Sequence, residues 1–301
     1  MRKALPMTVL EPVDGVAQAV EWIEPLPADD LRRLRHCPLE PFDTNAHGPQ
    51  SNAGLELIGT PRHHVRNLVA TVGMPLRIQA HMAYGQSRSS LHKEWVRLFL
   101  GDCQGWRQIA HRKTDESGRV EFALPERLPV GVYGIAAQVA GDQTYATGSI
   151  WIIPQATPVV VFALPGALMA EEGLARSMAQ GLGAPPIAGA ASLTHFYREQ
   201  GVLVIYMTKP TESYGPGASP EGWLQRHGFA QGPILMGPEA LDTAPPSSFN
   251  QAVTDLDGLH GAKMIIKGGY AGSASDVQAL LQLGVPTHQI WALDRYYPRQ
   301  E

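Results

Sequence analysis

Beyond Pro158 the apolar and polar positions alternate on two rhythms. Runs of consecutive aliphatic and β-branched residues, VVVFAL, GVLVIYMT, GPILM, AKMIIKG and HQIWALD, are separated by segments with helical spacing. Strands that are apolar throughout suit a parallel sheet buried on both faces, and their alternation with helices predicts crossover connections. The intervening segments EEGLARSMAQGLG, SLTHFYREQG, SPEGWLQRHG, SSFNQAVTDLDGL and SASDVQALLQLG supply five candidate helices. Ser219, Pro220 and Gly228 punctuate the third as cap, first turn and stop. The last runs from Ser273 or Ser275 to Gly284, with Leu280, Leu281 and Leu283 available for burial.

Between about residues 56 and 155 the rhythm is different. MPLRIQAHMAYG, EWVRLFLGD, WRQIAHRKT, GRVEFALP, GVYGIAAQVAGD and QTYATGSIWIIP read as short strands spaced as in a β-sandwich. In GVYGIAAQVAG, Tyr133, Ile135, Ala137 and Val139 share one face, as a half-buried strand requires. TDESGRV and AGDQT carry the Asp, Ser and Gly chemistry of hairpin turns. Residues 1–55 read as an extension with two short helical candidates and a linker-like PLEPFDTNAHGPQSNAG; Trp22 and Phe42 predict that parts of it dock. The pattern thus predicts three segments: the extension 1–55, an all-β, Ig-like sandwich over 56–155, and an α/β, Rossmann-like parallel-sheet domain over 156–301.

Composition narrows the function classes. Lys+Arg 24 against Asp+Glu 28 gives a net charge of −4, which offers no bulk electrostatic case for nucleic acid. The start MRKALPMTVLEPVDG has a short apolar run broken by Pro6 and no cleavage site, so it reads as no signal peptide. The most apolar stretch, around 150–170, is interrupted by Pro154, Pro158 and Pro165, and nothing is long enough to cross a bilayer. Cys37 and Cys103 fit no zinc or redox spacing; they can pair, but two lone thiols in a chain of this length suggest a reducing compartment. The expectation is a cytoplasmic protein that meets membranes only at their surface.

In open α/β sheets, ligands bind beyond the carboxyl ends of the strands. After VVVF the chain offers Ala163, Leu164, Pro165, Gly166 and Ala167, none with a side chain that can attack, donate a proton or hold a metal. The second strand runs into Thr208 and Lys209. The fourth runs into KGGYAGSASD, where Lys267, Gly268, Gly269 and Gly272 precede Ser273 and Ser275 at a helix start, whose amides favour an anion. Together the two loops can form a phosphate-sized cradle, with Asp276 placed to reach it. The competing reading has solvated lysines, capping hydroxyls and turn glycines, and Asp276 stabilising a first helical turn. The loop matches neither the phosphate-loop nor the dinucleotide fingerprint. His63 and His64, adjacent on a strand, point to opposite faces and make a poor metal pair. His227 lacks an acidic partner, no G-x-S-x-G elbow occurs, and Asp255 and Asp257 face solvent on this reading. No cofactor is called for.

VVVFALPGAL, GVLVIYMTKP, WLQRHGFAQGPIL and GGYAGSASDVQALLQLGVPTHQIWALD, in that order, resemble the lipin-type LNS2 domain, a branch of the haloacid-dehalogenase-like phosphatase superfamily. The resemblance is to the carboxyl-terminal region of the membrane-associated phosphatidylinositol transfer proteins of the retinal degeneration B type. GWRQIAHRKTDESGRVEFALPERLPVGVYGIAAQVAGDQTYATGSIWIIP resembles the β-domain that precedes it there, so the likeness covers roughly residues 75–295. In the active phosphatases the first strand ends in an Asp-x-Asp-x-Thr motif; the matching positions here are Ala163, Pro165 and Ala167. Thr208 matches the second motif, with Lys209 beside it. The third-motif lysine, expected near SSFNQAV, is absent, with Asn250 or Gln251 in its neighbourhood, and the last motif keeps Asp276 among glycines. The resemblance therefore implies a haloacid-dehalogenase-like fold that has lost its phosphoryl-aspartate chemistry, with too few carboxylates for Mg²⁺.

The implied function is a non-catalytic module that holds phosphatidic acid, or another phosphomonoester, through Thr208, Lys209, Lys267, Gly268, Gly269, Ser273, Ser275 and Asp276. The alternatives are a divergent phosphohydrolase using Asp276, and a protein-interaction module docking a partner through residues 1–55.

Overall fold

The computed structural model describes residues 11–12, 34, 42, 59–85, 89–124, 127–169, 184–208, 220–236 and 264–292. The chain divides into two compact units, Arg33–Pro154 on the one hand and Met1–Arg32 with Gln155–Glu301 on the other. The first strand, β1 (Glu11–Pro12), belongs to the second unit.

The Arg33–Pro154 unit is built from β2 (His64–Val65), β3 (Leu68–Thr71), β4 (Arg77–His81), β5 (Ala83–Tyr84), β6 (Ser89–Ser90), β7 (Trp95–Asp102), β8 (Gly105–Lys113), β9 (Arg119–Ala123), β10 (Gly131–Val139) and β11 (Tyr145–Ile153). A five-stranded sheet runs β3-β11-β10-β7-β8; a three-stranded one runs β2-β4-β9, and β5 pairs with β6. All pairings are antiparallel except β3 with β11. Ile78 and Phe122 of the smaller sheet meet Leu98, Ile135 and Ile150 of the larger in one buried core, as a sandwich requires. The predicted shared face holds, with Ile135, Ala137 and Val139 in that core and Tyr133 packed against it, but the strand is not half-buried: Ala136 and Gln138 on its other face are buried as well. The run HHVRNLVATVG, which the sequence reading left outside its strands, forms β2 and β3.

Two points concern the flanking segment. Phe42 is buried and its ring meets Phe99 at 4.9 Å, Trp106 at 5.2 Å and Tyr145 at 5.2 Å, so it docks on the outer face of the five-stranded sheet. Trp22 lies outside the described residues. Cys103, in the turn from β7 to β8, is disulfide-bonded, which corrects the expectation of two free thiols; the sequence holds one other cysteine, Cys37.

The second unit contains β12 (Pro158–Ala163), one π-helical turn (Leu164–Leu168), α1 (Ala190–Glu199), β13 (Leu203–Thr208), α2 (Pro220–Arg226), β14 (Ile234–Met236), β15 (Ile265–Ala271), α3 (Ala274–Gln282), a 3₁₀ turn (Thr287–Gln289) and β16 (Ile290–Ala292). Its sheet runs β1-β16-β15-β12-β13-β14, parallel throughout except for β1 at the edge. All six residues of β12 and of β13 are buried, which explains their uninterrupted apolar runs. The buried Trp223 of α2 donates its indole N–H to the carbonyl of Ala184 at 2.8 Å. Gly228 closes that helix with a left-handed φ of 68°. The candidate helices EEGLARSMAQGLG and SSFNQAVTDLDGL lie outside the described residues.

Candidate functional site

The chain enters the parallel sheet at β12, moves outward to β13 and β14, and returns on the other side of β12 as β15. That reversal puts a topological switch point beyond the carboxyl end of β12, where ligands of open α/β sheets bind. The π turn follows immediately, with Ala163 as its amino-terminal flank. Ala163, Leu164, Ala167 and Leu168 are all buried. The end of β12 is thus lined by buried apolar side chains.

The predicted ligand residues separate into two groups. Phe162, Tyr206 and Tyr270 are level across β13, β12 and β15. Thr208, two residues further along, is buried at the carboxyl end of β13, and Ser273 follows the same end of β15. Lys209, Asn250, Gln251, Asp255 and Asp257 lie outside the described residues. Lys267 does not join this end. Strand β15 runs to Ala271, beyond the Gly268 at which AKMIIKG is expected to stop, and Lys267 sits at an irregularity level with Val159 and Val160. Gly272 lies five positions further on, roughly 16 Å along a strand. Partial burial lowers its ammonium pKa.

Gly268 and Gly269 are likewise mid-strand, paired with Val160 and Val161. A Cβ on Gly268 would come within 2.4 Å of the Trp291 ring, and one on Gly269 within 2.6 Å of Leu280. Their glycine identity admits these neighbours to the sheet and is not a sign of ligand approach. The expected glycine loop shrinks to Gly272–Ser273.

At the start of α3 the polar groups satisfy one another. Ser273 caps the helix, its hydroxyl accepting from the Asp276 N–H at 3.3 Å, while a carboxylate oxygen of Asp276 accepts from the Gly272 N–H at 3.1 Å. The hydroxyls of Ser273 and Ser275 lie 2.9 Å apart. This is a variant of the reciprocal capping arrangement, and it explains why a carboxylate is tolerated in a buried position. Among the described residues no three His, Cys, Asp or Glu side chains gather as a metal site would need.

A second polar cluster, absent from the sequence reading, lies in the sandwich unit. It joins His63 just before β2, Tyr84 of β5, and Asp142 and Thr144 of the turn between β10 and β11. The Ala83 N–H donates to His63 Nδ1 at 3.2 Å. A neutral ring that accepts at Nδ1 carries its proton on Nε2, so Nε2 donates to Thr144 Oγ1 at 2.7 Å. Thr144 Oγ1 donates in turn to Asp142 Oδ1 at 2.7 Å, and the Tyr84 hydroxyl donates to Asp142 Oδ2. Burial lowers the His63 pKa to about 4, and burial with the Asp142 hydrogen bond raises that of Tyr84. The residues are those of a nucleophile relay, but the hydrogen bonds run the wrong way. A general base would have to accept the hydroxyl proton at Nε2, which already carries one. The cluster is a staple between the sheets. In the sequence its only trace was AGDQT, which reads equally as an ordinary turn.

The PITM 1-3 β-sandwich domain model matches residues 61–152, and the PITM 1-3 LNS2 domain model matches residues 160–294. Membrane-associated phosphatidylinositol transfer protein 2 of Mus musculus is 32% identical over 180 residues, covering 57% of this chain and 13% of that protein. The Homo sapiens protein 3 of the same name is 28% identical over 245 residues, covering 78% of this chain and 24% of that protein. Protein 1 of Rattus norvegicus is 26% identical over 245 residues, covering 78% and 19%. The chain therefore spans a quarter or less of the length of these relatives. A Paenibacillus cycloisomaltooligosaccharide glucanotransferase structure aligns with a TM-score of 0.28 at 13% identity, over 76% of this chain and 30% of that one, too low to imply a shared fold. With two successive domains matched in order over about three quarters of its length, the chain belongs to the PITM 1-3 family as a β-sandwich followed by an LNS2 domain.

Proposed function

We propose that the LNS2 domain is a non-catalytic, haloacid-dehalogenase-like module that recognises phosphatidic acid, or a like phosphomonoester headgroup, at a membrane surface. One observation carries the reading: buried Ala163, Leu164, Ala167 and Leu168 occupy the end of the central strand, the place where a phosphotransferase needs its nucleophile and acid. Asp276 is the one carboxylate among the described residues of these loops, and it is committed to the Gly272 N–H. The polar side chains at these strand ends are Thr208, Ser273 and Ser275, with Lys209 next in the chain. An ammonium and hydroxyls near a helix start suit a phosphate. Lys267, Gly268 and Gly269 are left out of this pocket, since they sit well down β15. The relatives' names describe membrane-associated transfer of phosphatidylinositol, and no described helix is long and apolar enough to cross a bilayer.

The test is flotation of the chain with vesicles containing phosphatidic acid, phosphatidylserine or phosphatidylcholine alone, with Lys209→Glu and Lys267→Glu compared. Preference for phosphatidic acid, lost in Lys209→Glu and kept in Lys267→Glu, is the expected result. Equal binding of phosphatidic acid and phosphatidylserine by the unaltered chain sinks the headgroup reading. Release of inorganic phosphate from phosphatidic acid in the presence of Mg²⁺, abolished in Asp276→Asn, would make the domain an enzyme instead.

A further inference from the structure

The other domain presents a surface with a different chemistry. In the five-stranded sheet the core takes Val96, Leu98 and Leu100 from β7, so Trp95 and Arg97 point to the outer face. Register carries that face across the sheet: Trp95 lies opposite Lys113, and Arg97 lies between His111 and Gln138, with Tyr145 opposite Gln138. Trp95 is 45% exposed and Tyr145 43%. The Lys113 ammonium stands 5.1 Å from the Trp95 ring centroid, and the His111 ring 5.4 Å from it.

Charge on this sheet is almost all of one sign. Its five strands contain Arg97, Arg107, His111, Arg112 and Lys113, and a single carboxylate, Asp102, at the turn end of β7 and within 3.9 Å of Arg107. Glu94, just before β7, is partly buried. Arg107 and Arg112 pair with the core-facing Leu100 and Val96 and so belong to the opposite face, which leaves Arg97, His111 and Lys113 on the outer face with Trp95, while Tyr145 lies further across, against Phe42. Indole and phenol rings settle at the boundary between water and acyl chains. Lysine and arginine beside them are drawn to anionic headgroups.

We propose that this face, centred on Trp95 and Lys113, is a contact surface for anionic membranes that senses charge density and not headgroup identity. It lies on a different domain from the proposed LNS2 pocket, and the two are separable. The experiment uses the full chain with phosphatidylcholine vesicles, with and without phosphatidylserine, at low and high salt. The expected result is binding only to the mixed vesicles, weakened by salt. Each unit of charge removed costs roughly five-fold, so Lys113→Glu loses on the order of ten-fold or more. Lys267→Glu, a charge reversal in the other domain at a residue outside the proposed pocket, leaves this binding intact. Brominated acyl chains quench tryptophan emission in the unaltered chain and quench it less in Trp95→Phe, a substitution that keeps an aromatic ring in place. Equal binding by Lys113→Glu and the unaltered chain overturns the proposal. So does failure of the unaltered chain to bind mixed vesicles, whatever acidic protein it captures.

Discussion

At the scale of single residues, the burial of His63 becomes a pH dependence. Its folded pKa of about 4 lies below its ordinary 6.5, so the unfolded chain binds the extra proton between those values. Stability contributed by neutral His63 is then fully present above about pH 6.5, falls as pH drops toward 4, and levels off below that. With allowance for its partial exposure the loss is on the order of 2 kcal/mol. Urea midpoints at pH 7 and pH 4.5 measure it, and His63→Gln shrinks the difference between them. An unchanged difference would mean that the remaining carboxylates account for all the acid sensitivity. Gly268 makes a second residue-scale prediction. Gly268→Ala drives a methyl into the Trp291 ring, and overpacking of this kind costs about 1–3 kcal/mol. The loss is smaller in a Trp291→Leu background, which separates a clash from a loss of backbone freedom.

The start of α3 shows at the scale of an element why capping and ligand binding are hard to tell apart from sequence. Ser273, Ser275 and Asp276 were legible as a helix start, and so was the helix that follows them. What they do there was not legible, because the residue types that terminate a helix politely are those that hold a phosphate. Ser273→Ala removes the acceptor for the Asp276 N–H and costs about 1 kcal/mol, read as a lower thermal midpoint. If the domain still prefers phosphatidic acid after that loss, Ser273 is a cap and nothing more. The strands of both domains were legible for a related reason. Parallel strands such as β12 and β13 are buried at every position and apolar up to Thr208, while β10 sets Ile135, Ala137 and Val139 on the core face at every second position. The carboxyl limit of β15 was missed because two successive glycines read as a loop. They are strand residues whose missing side chains make room for Trp291 and Leu280, a tertiary fact with no local signal. The His63 network was missed for the same reason, since its members are separated by as many as 81 positions.

At the scale of the whole chain, two domains with separate cores carry two different surface chemistries. One has a closed apolar end with polar side chains beside it, the other a cationic face with exposed rings. The closed end limits what can be built there. A carboxylate introduced at Ala163 would be set among Leu164, Ala167 and Leu168, all screened from water. With no counter-charge among them, it would be protonated or would destabilise the domain by several kcal/mol, a large share of the 5–15 kcal/mol that typically holds a domain together. A charge placed at this strand end would need the lining around it to become polar first, and each of those polar substitutions alone would cost stability. The packing works as a ratchet: a strand end filled with leucine accepts an acid only after several other changes.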